Sequence, residues 1–212
     1  MWLDVLLFGL LITSFMLVVA KRISALIDYF TLQSLALFLL MLILAYAHTG
    51  VKLYFVAGLI FLLKVVLIPF FLKRIMRKIK VEENVGFFVN PVISVLIALV
   101  LVYLSYVFTT KLLHITETLA QGAFSVAISI IFIGMFLMIS RIKALVQIVG
   151  LLVMENGLFL AAISVSGGMP FLVEVVIFFD ILVSVVILEL FVYKINNAFE
   201  HIDSNKLKGL QG

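Results

Sequence analysis

The chain has 212 residues, of which 66% are hydrophobic and 12% charged, with a mean hydropathy of +1.36 and a formal net charge of +4. That apolar fraction excludes an ordinary soluble domain and predicts an integral membrane protein. The absence of cysteine excludes disulfides, thiolate-held iron–sulfur clusters and thiolate-bound nickel or zinc on this chain.

In chain order, seven stretches are long enough to cross about 30 Å of hydrocarbon as helices: residues 3–20, 30–47, 53–72, 88–108, 119–139, 144–164 and 171–193. They are apolar at nearly every position, whereas barrel strands would alternate, so the expected fold class is all-α, a polytopic membrane protein. The first three spans with their basic loop form one unit, residues 1–83. Residues 84–118 supply the fourth span and a loop, residues 119–195 a three-helix unit, and residues 196–212 a polar tail. The longest polar stretch, residues 73–83, precedes a turn expected at Asn84-Val85-Gly86. Within the third span Pro69 has no N–H for the carbonyl of Val65, which predicts a kinked or loosened helix next to Lys64. Ser125, Ser129 and Gly134 in the fifth span and Gly150, Gly157 and Ala161 in the sixth permit close helix contact.

Loop charges set the expected orientation. With the N-terminus outside, twelve loop and tail lysines and arginines fall on the inner side, among them Lys21, Arg22, Arg74, Arg141 and Lys194, leaving only Lys52 and Lys111 outside. The first span lacks the basic leader of a secretory signal, having Asp4 before its apolar run and Lys21-Arg22 after it, so no cleavage is expected. The positive charge follows topology and calls for no nucleic acid. The expected location is the cell membrane, multi-pass. His48, His114 and His201 are scattered, with no i,i+4 pair, so no metal and no other cofactor is expected.

Three charges lie deep in apolar spans. At about 1.5 Å per residue, Lys64 is ~16 Å, Glu155 ~14 Å and Asp180 ~15 Å below the outer ends of their helices, one common level. Each costs about 2.5–3.5 kcal/mol at a bilayer centre, so intramembrane charge is read as function first. Burial moves the titration ranges of a carboxylate and an amine towards each other, which suits proton exchange. Glu174, about one turn into the last span, extends the set, and Glu189 near its inner end serves either as a relay or as an interfacial group. Acids on more than one face of that span require protein neighbours or wet cavities around it.

Residues 141–156, Arg-Ile-Lys-Ala-Leu-Val-Gln-Ile-Val-Gly-Leu-Leu-Val-Met-Glu-Asn, followed by a span with Asp180, resemble the three-helix subunit K (chain 4L) of respiratory complex I and the C subunit of Mrp-type antiporters. The acid differs in register: that pattern reads Gly-Leu-Glu-x-Met, and here Glu155 follows Met154. Over the whole chain, Lys64-Val-Val-Leu-Ile-Pro69, Met154-Glu-Asn-Gly157, Pro170-Phe-Leu-Val-Glu174, Asp180 and the tail Asp203-Ser-Asn-Lys-Leu-Lys-Gly-Leu-Gln-Gly212 resemble the hydrogenase-4 component E family. The resemblance implies a non-catalytic membrane subunit of an energy-converting [NiFe]-hydrogenase or formate hydrogenlyase complex. Its partners would be antiporter-like and complex I-like membrane subunits and a hydrogenase module, and it would contribute to proton or sodium translocation. Two other readings stand beside it, a subunit of a cation/proton antiporter without a redox partner and a structural scaffold of the membrane arm.

The charge bias predicts that reporters fused after Gly212 and within residues 73–83 both report the cytoplasm. Opposite readings at the two points would rule out the seven-span topology.

Overall fold

The computed structural model describes residues 2–48, 51–78, 84–86, 88–112 and 118–166. They form α1 (Trp2–Val19), α2 (Ile23–His48), α3 (Val51–Ile60), a π-helical segment (Phe61–Leu67), α4 (Ile68–Lys78), α5 (Pro91–Val107) running into a short π turn (Phe108–Leu112), α6 (Thr118–Ser140) and α7 (Ala144–Ser166). Six stretches are long and apolar enough to cross a membrane: Trp2–Val19, Ile23–Tyr46, Leu53–Arg77, Pro91–Lys111, Gln121–Ser140 and Ala144–Val165. No strand occurs among the described residues. The all-α membrane architecture is therefore as expected, and the expected seventh span, residues 171–193, lies outside the described residues.

The second helix starts at Ile23, seven residues before the apolar run expected from position 30. Ile23, Leu26, Ile27 and Phe30 are all buried along its inner side, so this first stretch is amphipathic and blends into the apolar run. Its one acid, Asp28, reaches outward to Lys73 in the middle of α4. Hydropathy alone marks a helix by its uniformly apolar part and misses such an end.

α2 is the hub of the bundle. It packs against α1, α3, the π segment, α4 and α7, while α1 is also covered by α5 and α6. α5 starts at Pro91 under an Asn90 cap, whose Oδ1 accepts from Val92 N at 3.0 Å. It turns Ser94, Ala98 and Ser105 inward and leaves Leu96, Leu99, Val100 and Tyr103 exposed, as a helix bordering lipid should.

Three connectors meet at one end. Val85 N donates to Lys21 O at 3.1 Å, Phe88 N donates to Ser140 O at 3.2 Å, and Gly86 takes φ +68, a left-handed conformation that suits glycine. Buried Arg141 donates from Nη2 to Val18 O at 2.6 Å, capping the carbonyl end of α1 with a cation where the helix dipole favours one. Burial lowers the Arg141 titration range to about 10, and the group stays charged at neutral pH. The basic corners of the sequence are thus stitched together at a single end of the bundle.

The tightest packing joins α6 and α7. A Cβ at Gly134 would stand 2.6 Å from Met154 N, one at Gly150 3.0 Å from Gly134 O, and one at Gly157 2.8 Å from Ala127 O. These are backbone atoms and cannot yield, so all three positions require glycine for close approach. At about 100° per residue, Glu155 lies ~140° from Gly150 around α7 and Asn156 ~120° on the other side. Both therefore turn away from α6 and into the bundle, where α2 and the π segment lie.

Gly150→Val is expected to drive α6 and α7 apart at a cost of about 1–3 kcal/mol or more, seen as a lower melting temperature of the detergent-solubilised protein. Gly9→Ala is the control, because nothing stands within 4 Å of a Cβ there and stability should hold.

Candidate functional site

Lys64 sits in the middle of the π-helical segment and is 2% exposed. The widened winding is explicit in the backbone, where Ile68 N donates to Leu63 O, five residues back. Buried Pro69 lies just past Ile68, which closes the segment, and it has no N–H to offer the preceding turn and a ring that would press on the carbonyl four residues earlier. Winding with a longer repeat is a natural relief of that clash. At the start of the segment Phe61 meets Phe38 of α2 with ring centroids 5.0 Å apart and the ring planes tilted by 45°. That contact holds this edge of the helix against the hub.

Opposite, α7 presents two consecutive polar residues. Glu155 is 3% exposed and Asn156 fully buried. The Lys64 ammonium donates to Asn156 Oδ1 at 3.1 Å and stands 3.9 Å from Glu155 Oε2. The first is a hydrogen bond; the second is a charge pair beyond hydrogen-bond reach.

From Asn156 the polar contacts continue across the bundle. Its Nδ2 donates to Gln33 Oε1 and to Ser34 Oγ, both at 3.2 Å on α2. Gln33 Nε2 donates to Ser14 Oγ of α1 at 2.8 Å, and Ser14 Oγ donates to Leu10 O at 2.8 Å. All of these side chains are buried. Each donor points away from Lys64 and each acceptor faces back towards it, so the amide dipoles present their negative ends to the ammonium. Such aligned chains reinforce one another in a low-dielectric interior. They also keep five polar side chains from being stranded without partners in the apolar core.

Of the residues singled out in the sequence, Lys64 and Glu155 come together and Pro69 lies on the next turn after Lys64. Asp180, Glu174 and Glu189 lie outside the described residues. Sequence reasoning passed over Gln33, Ser34 and Ser14 and quoted Asn156 only within a motif. A signal for the amides existed: Gln33 and Asn156 interrupt apolar spans, and polar groups in membrane helices face the bundle interior and bond across it. Among the described residues no group of three or more His, Cys, Asp or Glu is placed to hold a metal ion.

No family model matches the chain. It is 26% identical over 206 residues to Hydrogenase-4 component E of Escherichia coli K12, covering 96% of this chain and 94% of that protein. The match to Hydrogenase-4 component E of Shigella flexneri has the same extent and identity. The chain is also 23% identical over 204 residues to the uncharacterized protein Rv0085 of Mycobacterium tuberculosis, covering 96% and 93%. No solved structure matches. These distant, nearly full-length likenesses support the resemblance to hydrogenase-4 component E along the whole chain.

The geometry distinguishes the two partners of the buried pair. In Glu155→Gln the ammonium keeps Asn156 Oδ1, whereas Lys64→Met takes the cation from Asn156 and Glu155 together. Lys64→Met is therefore expected to be the more damaging, on the scale of about 3–5 kcal/mol for a broken buried pair. Yield of membrane-inserted protein measures this, and adding Glu155→Gln to Lys64→Met should restore part of it.

Proposed function

We propose that the chain is a non-catalytic membrane subunit of an energy-converting hydrogenase-like complex, and that it contributes to proton or sodium translocation coupled to redox chemistry on partner subunits. The coarser part of this reading, a membrane subunit of a hydrogenase-like complex, is supported by the apolar helices and by nearly full-length similarity to proteins named Hydrogenase-4 component E. The cell membrane as location, and antiporter-like, complex I-like and hydrogenase partners, follow from the same reading. The likeness of residues 119–195 to complex I subunit K belongs to it as well.

The observation that carries ion transfer is the Lys64–Glu155 pair, an amine and a carboxylate 3.9 Å apart inside apolar helices. Two residues that each resist burial as ions, placed side by side at mid-span, can exchange a proton by passing between a charged pair and a neutral pair. In the proposed relay Lys64 and Glu155 form the central station. Asp180 and Glu174 continue it through the last span, and Glu189 lies at its inner end.

Replacing Glu155 with Gln removes the titratable group and preserves shape. In inverted membrane vesicles holding the complete complex, Glu155→Gln is expected to leave the amount of assembled complex near that of the parent and to lower ion uptake by about 10²-fold or more. Glu155→Asp should be milder. Normal uptake at normal yield in the Gln variant would remove Glu155 from the relay.

A further inference from the structure

We propose that the groove between α1 and α2 binds one acyl chain of an anionic phospholipid, whose phosphate is held at Lys21 and Arg22. The site is separate from the buried pair and does not depend on that pair relaying protons.

The groove runs from Leu6 to Met16 on α1 and from Leu32 to Leu39 on α2, with a volume of about 250 Å³. Gly9 opens it, because a Cβ at that position would meet nothing within 4 Å. The lining is apolar apart from Thr13, whose Oγ1 donates to Leu10 O at 2.9 Å and stands 3.0 Å from Gly9 O. Its one hydroxyl hydrogen is thus spent on the backbone, and the groove offers a ligand contact surface only. It faces out of the bundle: Ile12, Met16, Leu32 and Leu39 are 40–48% exposed.

Length and charge select the occupant. Leu6 to Met16 is a run of ten residues, ~15 Å at about 1.5 Å per residue, which is half of the roughly 30 Å of hydrocarbon in a bilayer. An acyl chain of one leaflet covers that depth, whereas a membrane-spanning helix would need a track about twice as long. At the Met16 end the groove leads to the connector of the same two helices, where Lys21 and Arg22 are both exposed. The backbone there is fixed, since Lys21 O accepts from Val85 N at 3.1 Å and Arg22 pairs with Asn84. Asp28, one turn before Leu32 on α2, is already paired with Lys73. Two cations at the end of an apolar slot match a phosphate at the head of an acyl chain. The chain would fill the outer side of the seam whose inner side carries the Gln33–Ser14 bond, and so hold α1 against α2.

The test adds dioleoyl phosphatidylglycerol or dioleoyl phosphatidylcholine to the delipidated chain in detergent and counts retained lipid by native mass spectrometry. The parent is expected to keep one phosphatidylglycerol per chain, at least about tenfold more often than phosphatidylcholine, and to melt at a higher temperature as phosphatidylglycerol is added. Gly9→Leu fills the groove and should abolish both effects, with a lipid-free melting temperature at or above that of the parent. Lys21→Gln/Arg22→Gln should bring the two lipids to equal retention. If Gly9→Leu does not fold, Ile12→Trp replaces it with the same expectation, because that side chain is already 40% exposed. Benzoylphenylalanine in place of Leu32 then identifies the occupant in intact membranes. A phosphatidylglycerol adduct that weakens in Lys21→Gln/Arg22→Gln supports the proposal, and a crosslink to a second copy of the chain or to another membrane protein overturns it. Equal retention of both lipids by the parent would mean annular lipid only, and it overturns the proposal as well, as does parental retention in the groove-filling variant.

Discussion

An ammonium group 2% exposed, inside helices whose lining is otherwise largely apolar, has to be met by acceptors, and the arrangement of the bundle follows from that demand. Lys64 finds Asn156 Oδ1 and the nearby Glu155 carboxylate on α7. Asn156 then needs acceptors for two amide hydrogens, which α2 supplies through Gln33 and Ser34, and Gln33 needs one more, which α1 supplies through Ser14. Helices distant in sequence are thereby fixed in rotation and depth, because sliding any one by a residue would strand a polar group. Apolar packing between membrane helices tolerates such slips; hydrogen bonds do not.

The second constraint is steric and acts on the other side of α7. Gly134, Gly150 and Gly157 bring the α6 and α7 backbones together so closely that the seam admits only one register. A helix pinned along one stripe has its remaining faces assigned by 3.6-residue geometry, and Glu155 and Asn156 fall on the two flanks of the opposite face. Small residues thus place the polar ones. What stands across from Glu155 is therefore decided by the flank of the pinned helix that it occupies.

Much of the fold was legible because an apolar span declares itself by composition. The limits expected for the fifth and sixth spans, 119–139 and 144–164, lie within two residues of those of α6 and α7. The second helix was the exception, since its first turns bury one side and expose Asp28, a pattern that uniform hydropathy does not register. At the site, charge was legible and neutral polarity was not. Lys64 and Glu155 stood out by their cost in a bilayer, and helix rise placed them at one depth. Gln33, Ser34 and Ser14 carry no charge, and serine in a membrane helix usually bonds to its own backbone, as Ser14 does to Leu10 O. Only the crossing of α1, α2 and α7 shows that its oxygen also accepts from another helix. The π winding was legible only as a loosening before Pro69, because a sequence does not say whether a proline is accommodated by a kink, a 3₁₀ turn or a wider one.

That winding bears on what the buried pair can do. In a regular helix a lysine at mid-span is held by the turn on which it sits. In the π segment the donor–acceptor spacing is five residues, and the proline that follows removes a bond that would otherwise restrain it. The side across from it is the reverse: Asn156 is locked by two bonds, and α7 by its glycine seam. A yielding cation facing rigid acceptors localises any rearrangement on Lys64. The chain of amides then senses it, because each link from Asn156 to Ser14 is oriented by the positive charge at its head. A change in the charge or position of Lys64 therefore alters the electrostatic stability of contacts that reach the backbone of α1, and through them couples the buried pair to the first two helices.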